Sequence, residues 1–548
     1  MIRFILRYNH LFMTISLDSS ASSTNRQIAR AAGTVMVAFI ISNLIGLIRG
    51  VIIYRTFGTG TDLDSFNAAN RVTELLYNLM AGGALGSAFI PVFTGFLSRK
   101  DTAGGWRLAS GIINLLVVSL STVTLLAMIF APGIVQNVLF ILNPGVNLSQ
   151  LAVTTNLLLI LLPTVVIFGV SGILMGILNS HQQFWIPALT PAMYSLGMIA
   201  GVLLLPESWG ISRLAWGALF GSICHLVVQL PSIARLKFKY QMSFYLKMAE
   251  VRDVIRLFIP RIFGVAIVQL NFIINTIIAL SLPAGSASAL VLAFSLMLMP
   301  EMAIAQSIAI AALPSFSIQV AQGKLDEMRF SLAAVLRGVL LLSIPAAVGL
   351  IILRVPLVSA FYQRGGVFDE RSTDMVAWAL LWYSLGLVSH SLVEITSRAF
   401  YALHDTRTPV IVGAVAMSLN LVFSFLFSWL FGQIGWMPLG GLALANTLAT
   451  TIEMVALLVV MRKRLGGLHS KRVLSAAGKA GLAALGMAGV LILWRHYSNS
   501  LSDWIVLTIG LLLGLLGYIL IIRLLRVEEF QRLEQAVLSR IAPGRSGS

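Results

Sequence analysis

Residues 150–178, QLAVTTNLLLILLPTVVIFGVSGILMGIL, carry no Asp, Glu, Lys or Arg. A helix needs about 20 mostly apolar residues to cross a bilayer, so this stretch reads as a membrane span. Pro163 in its middle is compatible with that, because neighbouring helices in a membrane bundle satisfy the backbone groups a proline frees. The whole chain has the same character: of its 548 residues 58% are AVILMFWYC and only 11% are DEKR, where a soluble chain has about 25% charged residues. Further segments qualify at about 31–54, 65–97, 108–136, 186–205, 212–234, 254–281, 286–318, 330–353, 375–403, 409–431, 438–461, 474–494 and 504–525. The expected fold class is an all-α polytopic membrane protein with about 14 transmembrane helices.

The chain has 38 Lys+Arg against 21 Asp+Glu, a net charge of +17. Nucleic acid, the positive-inside bias and an anionic substrate compete to explain it. Alternate connections separate the first two. One set is basic: Arg99, Lys100 and Arg107; Arg235, Lys237, Lys239, Lys247, Arg252 and Arg256; Lys324, Arg329 and Arg337; Arg462, Lys463, Arg464, Lys471 and Arg472. In the other set 137–150, 281–286 and 431–438 have none, although Arg354, Arg364 and Arg371 follow the ninth span. Basic loops face the cytoplasm, so both termini are expected there, most of the charge is topological, and no nucleic-acid partner is expected. Met1 to Phe12 is apolar but broken by Arg3, Arg7, Asn9 and His10, and no A-x-A-like site ends it, so no cleaved signal peptide is expected. Ser19 to Asn25 reads as a polar, flexible lead-in.

The single Cys224 excludes a disulfide framework, and the seven histidines show no paired metal-ligand spacing. Gly82-Gly-Ala-Leu-Gly86 lacks the Lys-Ser/Thr of a phosphate-binding loop, and no G-x-S-x-G, H-E-x-x-H or CxxC occurs. The expectation is therefore not an enzyme or an ATP-driven pump but a secondary transporter, a channel or a scaffold.

Two parts of the chain resemble each other at a fixed offset. Ser87-Ala-Phe-Ile-Pro91-Val-Phe93 and Ala311-Ala-Leu-Pro314-Ser-Phe316 each precede a basic loop, with their prolines 223 positions apart. His181 and Pro187 bracket a short loop, as do His404 and Pro409, at offsets of 223 and 222. These anchors predict two pseudo-symmetric six-helix lobes of the same orientation, 31–236 and 253–463, with two helices appended at 474–525. The remainder is a lead-in at 1–30, a basic linker at 237–252 and a basic tail at 526–548, all cytoplasmic.

An ionised side chain at mid-bilayer costs about 2.5–3.5 kcal/mol on insertion scales, so each needs a partner, a wet cavity or a function. Arg49 lies late in the first span, beyond Ser42 and Asn43; Arg71 and Glu74 share a face of the second. Glu394 and Arg398 do the same on the tenth, one turn after His390; Arg261 follows Pro260, and Glu301 and Glu453 sit inside the eighth and twelfth. The two pairs read equally as self-neutralising ion pairs or as functional groups, and Arg261 as an interfacial anchor. Arg49 and Arg71 have fewer local carboxylates than they need, and a cationic pocket suits a phosphate or pyrophosphate, to which guanidinium forms forked hydrogen bonds.

Gly46-Leu-Ile-Arg49, Arg55-Thr-Phe-Gly58, Asp64-Ser-Phe66-Asn-Ala68 and Gly83-Ala84 leading to Ala88-Phe-Ile-Pro91 resemble the opening of the MurJ lipid II flippases, of the multidrug/oligosaccharidyl-lipid/polysaccharide exporter superfamily. Further matches are Pro187-Ala-Leu-Thr-Pro191, Pro260-Arg261 with Gln269 and Asn271, Phe361-Tyr-Gln-Arg364-Gly365, and the specific Phe400-Tyr-Ala-Leu-His-Asp405-Thr-Arg-Thr-Pro-Val410. The resemblance implies two lobes around a cationic cavity, with the last two helices forming a groove for an undecaprenyl tail. It implies a polyprenyl-pyrophosphate lipid as substrate, the bilayer and cell-wall synthesis proteins as partners, and the bacterial inner membrane as location. Arg49 matches a cavity arginine of the first helix, Asp64 the acid after the first outer loop, and Arg71 a basic position of the second helix. Asn43, Tyr77, Gly82 and Ser295 stand where the family has charges, so substrate contacts are expected to involve Arg261 or Arg398 as well. Arg55 and Arg364 are gate candidates beside the Glu74 and Glu394 pairs. No cofactor is expected; coupling to membrane potential or sodium is, with Asn275, Asn420 and Asn446 as the sodium candidates. The alternatives are export of another polyprenyl-linked saccharide, a multidrug-type exporter with an acidic cavity, and a non-transporting scaffold.

Overall fold

The computed structural model describes residues 21–80, 83–363, 366–498, 500–527 and 530–531; the side chains of 21–37, 39, 80, 83–87, 260–261 and 263–264 lie outside the description. Every regular element among these residues is helical. In chain order the first nine long helices are α1 (Ala21–Phe57), α2 (Thr61–Met80), α3 (Gly83–Ser98), α4 (Thr102–Ile129), α5 (Leu148–Leu161), α6 (Pro163–Ser180), α7 (Trp185–Leu204), α8 (Ser212–Val227) and α9 (Ala249–Leu280). Then follow α10 (Ser286–Glu301), α11 (Ser307–Ala321), α12 (Leu325–Tyr362), α13 (Glu370–Ala402), α14 (Arg407–Gln433), α15 (Leu439–Arg464), α16 (Ser470–Tyr497) and α17 (Asp503–Leu524).

Among the described residues twelve stretches are long and apolar enough to cross a membrane, and the chain is a multi-pass membrane protein. The two expected spans outside that set, 65–97 and 254–281, hold the shorter apolar stretches Ala88–Ser98 and Val265–Leu280. Residues 150–178 fall in two helices, since Pro163 starts α6 directly after Leu162 and cannot donate to the ladder. Likewise 286–318 is interrupted by a π-helical turn at Met302–Gln306, just after Pro300. Of the lead-in expected at Ser19–Asn25, the first two residues lie outside the described residues and the rest is a correction: α1 includes Ala21 to Asn25, and its Arg26-Gln-Ile-Ala-Arg30-Ala-Ala run is rich in helix formers.

The first compact unit comprises residues 1–56 and 65–273. Its core joins α3, α4 and α6 through Phe89, Phe93, Trp106, Leu108, Ile112 and Ile177. Beside it α7 and α8 meet along small residues: a Cβ on Gly197 would lie 2.2 Å from the Gly221 Cα, and one on Gly201 2.5 Å from the Gly217 Cα. The basic linker is strapped to α4. Asn114 donates to the carbonyls of Gln241 and Ser243, both at 2.9 Å, and the Gln241 N–H donates to Ser110 at 3.1 Å.

The second unit comprises residues 57–64 and 274–548. Here α16 packs on α12 and α17, burying Leu353, Ala480, Ala484, Leu491 and Leu507, and the Tyr518 hydroxyl donates to the Leu341 carbonyl at 2.7 Å. The connection before α2 also packs in this unit. Asp64 is buried and caps α10, accepting from the Gly285 N–H at 2.6 Å and from the Ser288 N–H and hydroxyl at 2.7 and 2.6 Å. A carboxylate there satisfies donors that a helix start leaves unpaired and complements its dipole. Gly285 adopts φ +92°, and a Cβ would meet the Thr59 carbonyl at 2.7 Å, so glycine alone fits. Asp64→Ala orphans these donors and is expected to lower the melting temperature of the detergent-solubilised protein by at least about 5 °C; an unchanged value in a thermal shift assay refutes the capping role.

The loops at the repeat anchors share one backbone design. After α3 the N–H of Lys100 bonds to Leu97 and that of Asp101 to Phe96; after α11, 223 positions on, Gly323 bonds to Val320 and Lys324 to Gln319. Lys100 and Gly323 both have positive φ, 58° and 71°. Gln182 and His404 repeat this after α6 and α13, each with φ 58°. These are helix C-terminal motifs that turn the chain sharply.

In the second of these turns Asp405 accepts from the Arg407 and Thr408 N–H groups at 3.1 and 3.0 Å, from the Thr408 hydroxyl at 2.6 Å, and from Arg464. The Thr408 hydroxyl and N–H, with Arg464, hold its carboxyl down at about 2. A folded pKa below the ordinary carboxylate value stabilises the fold above about pH 4, and that contribution is lost as pH falls towards 2. Asp405→Asn is therefore expected to lower the melting temperature by about 2–4 °C at pH 7, with the gap to the parent narrowing as pH falls from about 4 towards 2; a gap independent of pH contradicts this.

Candidate functional site

In the first unit the site begins with the register of α1 on α7. Residues seven apart lie two turns along one helix face. Ser42 donates to the Ala188 carbonyl at 2.9 Å, and Arg49 Nη1 donates to Ser195 Oγ at 3.3 Å, with Met198 Sδ at 3.9 Å. Arg49 is half-buried. Its polar partners are thus a hydroxyl and a thioether, and among the described residues no carboxylate lies within ion-pair distance of it. Asn43, on another face, is exposed.

Arg71 is compensated. Its Nη1 donates to Glu74 Oε2 at 2.7 Å, and its guanidinium sits 5.1 Å from the centre of the Phe272 ring. Glu74 also accepts from Asn70 at 2.7 Å. Tyr194, next to Ser195, lies within electrostatic reach of both Arg49 and Glu74 and joins the two into one constellation. Phe168 packs against Tyr77, Tyr194 and His225 at ring separations of 5.5, 5.2 and 5.1 Å. His225 shares a 2.7 Å hydrogen bond with Ser171, to which Gln229 donates. The outcome is one guanidinium with neutral partners beside a neutralised pair and an aromatic wall, an arrangement able to fork hydrogen bonds to an anion. Neutral Tyr194, Ser195, Met198 and Phe272 carry no sequence signal of their own, though the first two follow the Pro187-to-Pro191 match.

The second unit holds the other charges. Arg398 donates to Glu394 Oε1 through Nε at 3.1 Å and Nη2 at 2.7 Å, and lies 5.9 Å from the Tyr401 ring centre. Glu301 is within electrostatic reach of Glu394, and Glu453 and Glu394 both act on Tyr401. A Cβ on Gly413 would lie 3.2 Å from Glu453 Oε1, so that glycine lets the carboxylate approach α14. Of the three asparagines, Asn275 donates to Asn420 at 2.8 Å and accepts from Ser424 at 2.9 Å. Asn446 instead bonds His390 at 3.1 Å, so the structure does not bring the three together. Among the described residues no group of three or more His, Cys, Asp or Glu is placed to hold a metal. Arg55 is half-buried in α1. The Arg261 side chain and Arg364 lie outside the described residues.

Comparison with known proteins follows the same lines. The family model described as lipid II flippase MurJ matches residues 53–513. A probable lipid II flippase MurJ of Vibrio cholerae serotype O1 is 28% identical over 528 residues, covering 92% of this chain and 98% of that protein. A solved lipid II flippase MurJ in an inward closed conformation aligns with a TM-score of 0.76 at 26% identity, over 90% of this chain and 99% of that one. An inward-facing multidrug resistance MATE transporter of the MOP superfamily shares the fold, with a TM-score of 0.64 at 15% identity over 78% and 96% of the two chains. The match over residues 53–513, most of the chain, makes this protein a member of the MurJ lipid II flippase family.

Proposed function

We propose that this chain flips lipid II, the undecaprenyl-pyrophosphate-linked peptidoglycan precursor, from the inner to the outer leaflet of the bacterial cytoplasmic membrane by alternating access. Family membership supplies the substrate class, and the observation that carries the mechanism is Arg49. Its guanidinium is half-buried on α1 with only neutral partners, so a pyrophosphate supplies the counter-charge that the protein withholds. Arg71 contributes once an anion competes with Glu74. Both termini lie on the cytoplasmic side with the basic loops.

Potential supplies the drive in this scheme. Two negative charges crossing 100 mV from a negative interior are favoured by about 4–5 kcal/mol, provided the pocket cations stay behind. Sodium coupling is the competing scheme, and the Asn275, Asn420 and Ser424 cluster is where its effect would be sought. Complementation tests the function: a well-expressed copy should restore growth to a strain depleted of its own flippase, and failure to do so refutes the reading.

Glu301 within electrostatic reach of Glu394, and Glu394 and Glu453 both acting on Tyr401, with Arg398 paired to Glu394, favour a second reading, export of an organic cation. Under it, expression lowers susceptibility to cationic drugs and rescues no flippase-depleted strain.

A further inference from the structure

The Lys/Arg bias leaves Arg354 as an anomaly, a cation on the side otherwise poor in them. It lies two turns before the end of α12, and Arg495 lies in the last turn of α16, the helix packed against it. Pro356 has no N–H to give the Ile352 carbonyl four residues earlier. Arg495 Nη1 donates to that carbonyl at 3.3 Å, and Arg354 Nη1 donates to the adjacent Ile351 carbonyl at 2.6 Å. Two half-buried guanidinium groups therefore sit over consecutive carbonyls of one helical turn, each with most of its five N–H donors unspent.

Nothing acidic neutralises them among the described residues: their hydrogen-bond partners are carbonyls, and the charge acting on Arg354 is that of Arg495. Asp503, at the start of the neighbouring α17, accepts from the Ser359 hydroxyl instead. Like charges held together without a counter-ion repel, which an anion bridging both relieves. Trp494, whose indole donates to the Val506 carbonyl at 2.9 Å, and the exposed Tyr497 flank the pair as interfacial aromatics do. Guanidinium forks match phosphate oxygens at that depth.

We propose that Arg354 and Arg495 form a phosphate site for a lipid headgroup in the leaflet opposite the basic loops. Its occupant is either the polyprenyl pyrophosphate that the chain delivers or the phosphate of a bulk phospholipid. The outer-leaflet placement rests on the orientation proposed above, whereas binding itself does not require flipping.

Native mass spectrometry of the full-length protein in detergent tests this, in an Arg49→Gln background that weakens the anion site proposed in the first unit. The probes are undecaprenyl pyrophosphate, phosphatidylglycerol and, as a phosphate-free control, diacylglycerol. Arg354→Gln is expected to weaken phosphate-lipid binding about tenfold, the loss of one charged hydrogen-bond partner. Arg354→Lys should recover much of it, and diacylglycerol should be indifferent. Arg495→Gln also orphans the Ile352 carbonyl, so Arg495→Lys, which keeps a donor, is the paired variant for that position. Tighter binding of the pyrophosphate than of phosphatidylglycerol identifies the delivered lipid as the occupant; equal binding identifies bulk headgroups. Wild-type affinity in Arg354→Gln, or an equal loss in Arg354→Lys, overturns the site. Because no transport is measured, failure here is distinguishable from failure of the flippase reading.

Discussion

Arg49→Gln is expected to abolish rescue of a flippase-depleted strain and to slow flipping of a fluorescent lipid II analogue in proteoliposomes by at least about tenfold. A hydrogen bond to a charged group contributes about 1.5–3 kcal/mol, and each 1.4 kcal/mol is about tenfold. The fold should survive, because the groups left behind are the Ser195 hydroxyl and the Met198 thioether, neither of which becomes a buried charge. Arg49→Lys should retain part of the activity, having the charge without the fork. Normal flipping by a well-folded Arg49→Gln protein would reassign the residue to the packing of α1 on α7.

Gly201→Leu should have the largest effect on folding. A Cβ there would lie 2.5 Å from both the Gly217 Cα and the Arg213 carbonyl oxygen, and neither is a flexible side chain that can swing away. Gly197 and Gly221 repeat the contact one turn along, so the two helices approach through two small-residue pairs spaced by four. Prising α7 from α8 also displaces Ser195 and with it the seat of Arg49. The expected result is loss of the monodisperse peak in size-exclusion chromatography, with Gly201→Ala intermediate. Gly478→Ala, where a Cβ meets open space, is the matched control and should be silent. A monodisperse, stable Gly201→Leu protein would contradict the close packing.

Much of the fold was legible because a bilayer imposes its rules locally. An apolar stretch of span length, a proline at 163, or an unequal share of lysine and arginine between loops can be read without knowing any neighbour. The paired turns at the repeat anchors were legible for a similar reason: those after α3 and α11, and after α6 and α13, keep the same backbone bonds at nearly one offset. Helix-face pairs were visible too, since residues three or four apart must meet, as Arg71 with Glu74 and Glu394 with Arg398 do.

Which cations lack a partner was not legible, because partners come from other helices. Sequence alone determined that this is a multi-pass helical protein with a few charges inside its spans, since hydropathy and charge spacing are properties of single segments. Only the tertiary structure decided that Asp64 caps α10, that the three asparagine candidates do not assemble, that Arg495 serves the carbonyl freed by Pro356, and that Arg49 faces a hydroxyl and a sulfur. Each of these contacts joins residues more than fifty positions apart, and what neutralises a charge is set by which helix lies beside it.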